Sequence, residues 1–159
     1  MAIELVRIDD RLIHGQVATT WINDYNIEQV LIVDDEMVND EIQKKVMAMT
    51  APPNIKVTFF GVDQFNEILG NNPIKRRTML LYADPVAVLR NLEGNLKIEK
   101  LNVGNIRFRD GRKQIAKSVS LTTEESEAFK KMLAMGLDVT WQMVPREKAV
   151  PMKSLLESA

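Results

Sequence analysis

VRIDDRLIHGQVATTW, residues 6–21, contains the single histidine of the 159-residue chain. The stretch begins inside an apolar run typical of a buried strand, passes through Asp9 and Asp10, and continues after His14 with the spacing of an amphipathic helix. A strand followed directly by a helix is the first half of a βαβ unit. The stretch therefore predicts a parallel sheet, with the histidine between a strand and a helix.

The rest of the chain repeats this alternation, with no internal repeat or linker. Continuous apolar strands separated by helical patterns are typical of a parallel sheet covered by helices on both faces. We expect an α/β fold of three layers, α/β/α, with a mainly parallel sheet of about six strands, forming one domain over residues 1–159. The predicted strands are 3–8, 29–33, 55–60, 78–82, 96–103 and 138–144, with a shorter candidate at 116–121, and the predicted helices are 14–25, 39–51, 61–69, 84–92 and 122–136.

Local signals refine two of these regions. Asn39 is the expected N-cap of the second helix, whose Ile42, Val46 and Met49 share one face. Asp110-Gly111 is a hairpin turn signal, and Asn102 and Gly104 are expected to fix another turn. Methionines at helical spacings are expected in the core, namely Met47, Met49, Met132 and Met135.

Composition excludes several classes of protein. There is no cysteine, so thiol nucleophiles and cysteine-based zinc sites are excluded. The net charge of -1 gives no bulk attraction to nucleic acid or anionic membrane. No signal peptide pattern and no apolar run of roughly 20 residues is present, which predicts a soluble protein.

In open parallel sheets, ligands bind beyond the carboxyl ends of the strands. That rule selects the opening loop around His14, together with the segments that follow the other strands. Arg11 lies three residues before His14, so a turn would direct both side chains to one pocket. Gly15 and Gln16 would place free backbone amides at the start of the helix, beside the ring.

These features describe a site for an anion bound next to, or on, an imidazole. Helix N-terminal amides favour negative charge, and the Arg11 guanidinium suits phosphate oxygens. A neutral imidazole is a competent nucleophile toward phosphorus, so His14 is the predicted phosphoryl acceptor. Asp9 or Asp10 would orient the ring.

Other chemistries have less support in the sequence. Glycine-rich phosphate loops are absent, so nucleotide binding has little support. Carboxylates alone could bind Mg²⁺, although the simpler interpretation is that Asp34, Asp35 and Asp84 cap helices or lie at solvated loop ends. A receiver-type regulatory domain would suit Asp9 and Asp10, but Gly61 stands where the phosphorylated aspartate belongs. A binding module for a phosphorylated metabolite is a third possibility.

The opening stretch resembles the N-terminal signature of the IIB components of the mannose/fructose/sorbose family of the bacterial sugar phosphotransferase system. Further blocks are similar along the whole chain, namely VLIVDDEMVND, LLYADPVAVLRNLEG, LNVGNIRFRDGRKQIAKSVSLT, AFKKMLAMGLDV and MVPREK. One departure is Asn105, where the family usually carries a second glycine.

The resemblance implies a cytoplasmic phosphocarrier, peripherally associated with a membrane permease and acting as a protein-phosphohistidine–sugar phosphotransferase. His14 would take a phosphoryl group from a IIA phosphohistidine and pass it to a sugar entering through IIC and IID. Arg11 would help to hold the group, and Asp9 and Asp10 match the acidic pair that shapes the active loop. No cofactor, metal or nucleic acid is implied, and the sugar and the oligomeric state, including any homo-oligomer, stay open.

Polar side chains outside the loop of residues 9–16 are also candidates for the site. Asp35, Asp84 and Arg109 are predicted to support the active loop from neighbouring segments. A basic cluster is either a solvated hairpin or a rim that attracts an acidic IIA face or a phosphate. The cluster contains Arg107, Arg109, Arg112 and Lys113.

Overall fold

The computed structural model describes residues 2–159, which form one seven-stranded sheet and a separate two-stranded hairpin. The strand order in the sheet is β3-β2-β4-β1-β5-β8-β9, and every neighbouring pair is parallel except β8 and β9. The strands are β1 (Ile3–Asp9), β2 (Gln29–Val33), β3 (Lys56–Phe60), β4 (Thr78–Tyr82), β5 (Lys100–Asn105), β6 (Lys113–Ala116), β7 (Val119–Leu121), β8 (Asp138–Trp141) and β9 (Val150–Pro151). The helices are α1 (Gly15–Asp24), α2 (Glu41–Thr50), α3 (Val62–Asn71), α4 (Pro85–Glu93), α5 (Thr123–Ala134) and α6 (Met152–Glu157), with a short 3₁₀ turn at Met37–Asn39.

Alternation along the central strands produces three layers. Successive side chains of a strand point to opposite faces, so a strand that is apolar throughout feeds two cores. In β4, Leu80 and Tyr82 join one buried cluster, and Met79 and Leu81 join the other. Helices α3, α4, α5 and α6 cover the first cluster, while α1 and α2 cover the second. The predicted α/β/α architecture with a mainly parallel sheet is confirmed.

Helix starts depend on capping oxygens. Asp40 accepts a hydrogen bond from the Gln43 backbone amide and caps α2, so the prediction that Asn39 is the cap is wrong by one residue. Asn39 belongs to the 3₁₀ turn before the helix, and Asp40, the residue directly before α2, is the one whose side chain reaches the first free amides. A capping box of Thr122 and Glu125 starts α5.

The region after the fourth helix differs from the prediction. Strand β5 begins at Lys100 and ends at Asn105, so Asn102 and Gly104 lie inside a strand and do not form a turn. Residues 116–121 contain the end of β6, a turn and β7, because the two short strands pair with each other. The hairpin therefore closes at residues 117–118. Asp110-Gly111 forms a turn before β6, with Gly111 at φ +87°.

The apolar face of helix α2 is exposed to solvent. Ile42, Val46 and Met49 do share one face, but that face is exposed, and only the neighbouring Met47 packs against the second core. The core placement of Met49 and Met135 is therefore wrong, whereas Met132 is fully buried. Among residues 2–159 no helix has both the length and the apolar character to cross a bilayer.

Candidate functional site

The loop between β1 and α1 lies at the topological switch point of the sheet. Strand β1 pairs with β4 on one side and β5 on the other. The helix after β1 covers one face of the sheet and the helix after β4 covers the opposite face. Helices that diverge in this way open a crevice at the carboxyl ends of the two strands, which is where parallel sheets bind ligands.

Two buried apolar residues anchor this loop. Leu12 and Ile13 are inserted into the second core, while Arg11 and His14 on either side stay partly accessible. Leu12 has φ +56°, a left-handed conformation that is uncommon for a leucine. Its burial holds that conformation, and the resulting turn directs Arg11 and His14 toward the end of β1.

Asp9 is the centre of the arrangement. Asp9 is fully buried, and its carboxylate accepts hydrogen bonds from the Arg11 backbone amide at 3.0 Å and from Arg11 Nε at 3.3 Å through Oδ1. The other oxygen, Oδ2, lies 3.7 Å from His14 Nε2 and 3.5 Å from Arg7 Nη2. The buried carboxylate thus contacts the predicted nucleophile and the predicted phosphate clamp at once.

The His14 ring has both nitrogens engaged or buried. Nδ1 lies 3.0 Å from the Leu12 carbonyl oxygen, which can only accept, so Nδ1 is the protonated position in that contact. Nε2 is buried beside Asp9, and among the described residues it has no hydrogen-bond partner. Transfer of a group to this ring therefore requires it to turn away from at least one of these two positions.

The start of α1 faces the same place. His14 is the N-cap residue but makes no side-chain capping bond, so the first-turn amides stay available to an anion. Gly15 adopts φ +60° and a Cβ there would meet nothing within 4 Å, so the glycine is required by its backbone conformation. Gly15 and Gln16 are exposed, as an anion site at this helix end needs.

Asp10 has a different role from Asp9. Its Oδ1 accepts from Asn105 Nδ2 at 2.7 Å, and its Oδ2 accepts from the Arg107 backbone amide at 2.9 Å. The Asp10 amide donates to the Asn105 carbonyl at 2.9 Å. Asp10 therefore joins the active loop to the segment after β5, and the aspartate beside the ring is Asp9.

Arg7 is a site residue that the sequence reasoning missed. It lies in the middle of β1, is 2% exposed, and donates to the carbonyls of Gln142 at 3.0 Å and Met143 at 3.1 Å. Asn102 also accepts from it, and the guanidinium lies 4.8 Å from the centroid of the Trp21 ring. Burial, with a smaller contribution from nearby Arg11, lowers the pKa of Arg7 to about 10, so the group stays charged at neutral pH.

Gly104 makes room for that guanidinium. A Cβ at this position would lie 2.5 Å from Arg7 Cζ and closer still to Nη2. Trp21 is buried and donates its indole N–H to the Met143 carbonyl at 2.9 Å. The available signal was an arginine within an apolar strand, together with an asparagine and a glycine in a second apolar strand.

The remaining predicted residues lie on other elements and make other contacts. Asp35 accepts from the Val62 amide at 2.9 Å and lies 3.8 Å from Arg90. Asp84 caps α4 by accepting from the Ala87 amide at 3.0 Å, and burial raises the pKa of its carboxyl. Arg109 is exposed after β5. Within residues 2–159, no three histidine, aspartate or glutamate side chains are grouped closely enough to hold a metal ion.

Comparison with known proteins places this geometry in context. Residues 3–159 match the family model described as PTS system sorbose subfamily IIB component. The mannose-specific EIIAB component of Escherichia coli K12 is 38% identical over 158 residues, 98% of this chain and 49% of that protein. The chain thus spans about half the length of that relative. The sorbose-specific EIIB component of Lacticaseibacillus casei is 34% identical over 91% of this chain and 88% of its own.

A solved structure agrees with the family match. The IIBSor domain of the sorbose permease from Klebsiella pneumoniae superposes with a TM-score of 0.95 at 31% identity, covering 100% of this chain and 98% of that one. Sequence and fold lead to the same assignment. The chain belongs to the sorbose-subfamily IIB components of the sugar phosphotransferase system.

Proposed function

We propose that this IIB protein is a phosphocarrier whose His14 accepts a phosphoryl group and passes it to a sugar. The observation that carries the proposal is the convergence of Arg11 and His14 on the buried Asp9 carboxylate, at the uncapped start of α1. The imidazole would carry the phosphoryl group, and the cation and the free helix amides would bind its oxygens.

Phosphoryl transfer depends mainly on positioning and on stabilising charge on the phosphoryl oxygens. A lone pair of the His14 ring attacks the phosphorus, the phosphorus–nitrogen bond of the donor breaks, and the donor ring departs with the electron pair. Arg11 and the first amides of α1 balance the negative charge on the oxygens. In the second step the oxygen of a sugar hydroxyl attacks, the bond to His14 breaks, and the proton of the hydroxyl is released.

Asp9 positions Arg11 and His14 relative to each other. By accepting from the Arg11 amide and side chain, it fixes the clamp to the end of β1. With Oδ2 at 3.7 Å, it also offers an acceptor to His14 Nε2 when that nitrogen carries a proton. The same carboxylate therefore sets the relative positions of clamp and nucleophile.

The partners follow from the family. We propose a IIA phosphohistidine as donor, and a cytoplasmic location in which IIB docks to the membrane proteins IIC and IID. The sugar is the acceptor. These interactions are transient, so modest interfaces suffice.

The test is phosphorylation by a labelled IIA protein, with His14→Ala as the decisive variant. Wild type should acquire an acid-labile, base-stable label, and His14→Ala should acquire none. A label on folded His14→Ala would refute the assignment, and a base-labile label requiring Mg²⁺ would favour a receiver-type aspartate instead. Tight binding of phosphate esters with no covalent label would favour a binding module.

Arg11 is tested with a matched control. Arg11→Ala should slow transfer by about 100-fold or more, because one charged contact to the transferring group is lost. Arg76→Ala removes an exposed arginine just before the amino end of β4, whereas His14 follows the carboxyl end of the parallel neighbour β1, and this variant should transfer normally. Normal transfer by folded Arg11→Ala would remove the clamp from the mechanism.

A further inference from the structure

We propose that Phe108, together with Arg107 and Arg109, forms the surface on which the phosphoryl-donor protein docks. The three residues are called the Phe108 surface below. This inference rests on the proposed function, since it assigns a contact surface to the IIA protein that phosphorylates His14. It adds an apolar anchor, which the basic cluster alone does not provide.

The position of the Phe108 surface follows from the sheet. Asp9 at the end of β1 is in register with Asn105 at the end of β5, so the chain after Asn105 emerges beside the active loop. Asp10 then ties the two segments together through the Asn105 side chain and the Arg107 amide. A protein that presents a phosphohistidine to His14 must cover this neighbouring segment.

Hydrogen bonds at both ends hold the segment in place. Ile106 is fully buried before it, and its amide donates to the Ser118 carbonyl at 2.8 Å. Arg112 after it donates to the Arg107 carbonyl at 2.8 Å and pairs with Glu125 through both carboxylate oxygens at 3.1 and 2.9 Å. A preorganised segment loses little conformational freedom when a partner binds.

Phe108 is exposed in spite of this order. Its side chain is 65% accessible, and it is one of five large apolar residues left exposed in residues 2–159. Of these five, it is the one whose segment is hydrogen-bonded to Asp10. Aromatic residues and arginine are enriched at the centres of protein interfaces, where a few side chains contribute most of the affinity.

The charges around Phe108 specify the partner. Arg107 is 59% accessible while its Nε lies 3.5 Å from Asp10, and Arg109 is exposed. Asp110 is also exposed, so the exposed side chains of the segment carry an excess of one positive charge, and exposed Arg11 in the β1–α1 loop adds another. The Asp10 and Asp9 carboxylates that pair with Arg107 and Arg11 are buried. A partner with an apolar depression bordered by carboxylates fits, and its acidic border would speed the encounter.

The experiment measures phosphoryl transfer from a phosphorylated IIA protein at varied IIB concentration. Phe108→Ala should raise the KM for IIB roughly tenfold, as loss of a hot-spot aromatic does, with the maximal rate retained. Phe108→Trp keeps an aromatic ring and should stay near the wild-type KM. Met135→Ala is the control, because Met135 is 53% exposed between α5 and the amino end of β8, whereas the Phe108 surface follows the carboxyl end of the parallel neighbour β5.

The outcomes separate this inference from the proposed function. An unchanged KM for Phe108→Ala, or an equal rise for Met135→Ala, would overturn the docking surface while labelling of His14 still stands. Phosphoramidate, a small phosphoryl donor, provides a second comparison. If Phe108→Ala reduces the rate of phosphorylation by phosphoramidate as much as the rate with IIA, the defect lies at His14. That result would also overturn the inference. Failure of the wild type to be labelled on His14 by IIA would refute the proposed function itself.

Discussion

Replacement of Arg7 by methionine tests whether the buried guanidinium holds the site together. Methionine keeps an unbranched, flexible side chain but removes the charge and every donor. The change leaves the Gln142 and Met143 carbonyls without these hydrogen bonds and ends the stacking on Trp21. It also removes a cation 3.5 Å from Asp9, whose carboxylate stays buried.

The size of the effect follows from that burial. The Arg7 and Asp9 side chains are 3% and 1% exposed, so water cannot replace the lost partner. Removing one member of a buried ion pair costs about 3–5 kcal/mol. The Gln142 and Met143 carbonyls would add to this cost, although the Asn102 amide, 3.4 Å from the Gln142 carbonyl oxygen, offsets part of it. We therefore expect Arg7→Met to lower the free energy of unfolding by about 3–5 kcal/mol, a large share of the roughly 5–15 kcal/mol typical of a domain.

Urea unfolding followed by circular dichroism measures this change, with Arg76→Ala as a control expected within about 0.5 kcal/mol of wild type. The second arm repeats Arg7→Met in an Asp9→Asn background, which has no buried carboxylate to lose the contact with Arg7. There the cost should shrink by about 1–3 kcal/mol. A loss below about 1 kcal/mol in the wild-type background, or an equal loss in both backgrounds, would refute the reasoning.

Two further changes probe the surroundings of the site. Gly104→Ala should destabilise the fold by about 1–3 kcal/mol and slow phosphorylation of His14, because the new Cβ collides with the Arg7 guanidinium. Thermal unfolding measures the first effect and the labelling assay measures the second. A variant that matches wild type in both assays would contradict the close contact. Asp84→Asn keeps a capping oxygen but cannot ionise. Because burial raises the pKa of Asp84, the folded state binds its proton more readily than the unfolded chain does, so ionised Asp84 lowers stability at neutral pH and protonation relieves this. The stability of Asp84→Asn relative to wild type should therefore fall as the pH is lowered from about 7 to about 4, as urea unfolding at each pH would show, and a constant difference would contradict the assigned burial effect.

Periodicity predicted the layers because the central strands are apolar throughout. Predicted strands 29–33 and 78–82 coincide with β2 and β4, whose side chains feed both cores. The same rule failed at residues 116–121, where a short apolar run is divided between two paired strands. It also placed Met49 in the core, since amphipathic spacing identifies a helix but not whether a neighbour covers its apolar stripe.

The site was predictable in its local part. Arg11, His14 and the start of α1 lie within a few residues of one another, so a tight turn had to bring them close, and the two buried residues of RLIH direct that turn. The sequence left open which aspartate faces the ring. Strand alternation decides this, because Asp9 is the last residue of β1 and follows Arg7 on the same face, whereas Asp10 lies beyond the strand and turns toward β5.

The part that could not be predicted depends on contacts across strands. Arg7 is bound by residues about 95 and 135 positions away, and single-sequence periodicity does not specify the strand order that joins them. A usable rule nevertheless follows from its environment. A cation within a continuous apolar strand is too costly to bury alone, so it requires a partner on a neighbouring strand. In β5, Asn102 provides a hydrogen-bond acceptor and Gly104, without a side chain, leaves space for the Arg7 guanidinium. Arg7 is in register with Asn102. Polar and glycine interruptions in two apolar strands therefore predict that those strands are neighbours, and here they would have placed β1 beside β5.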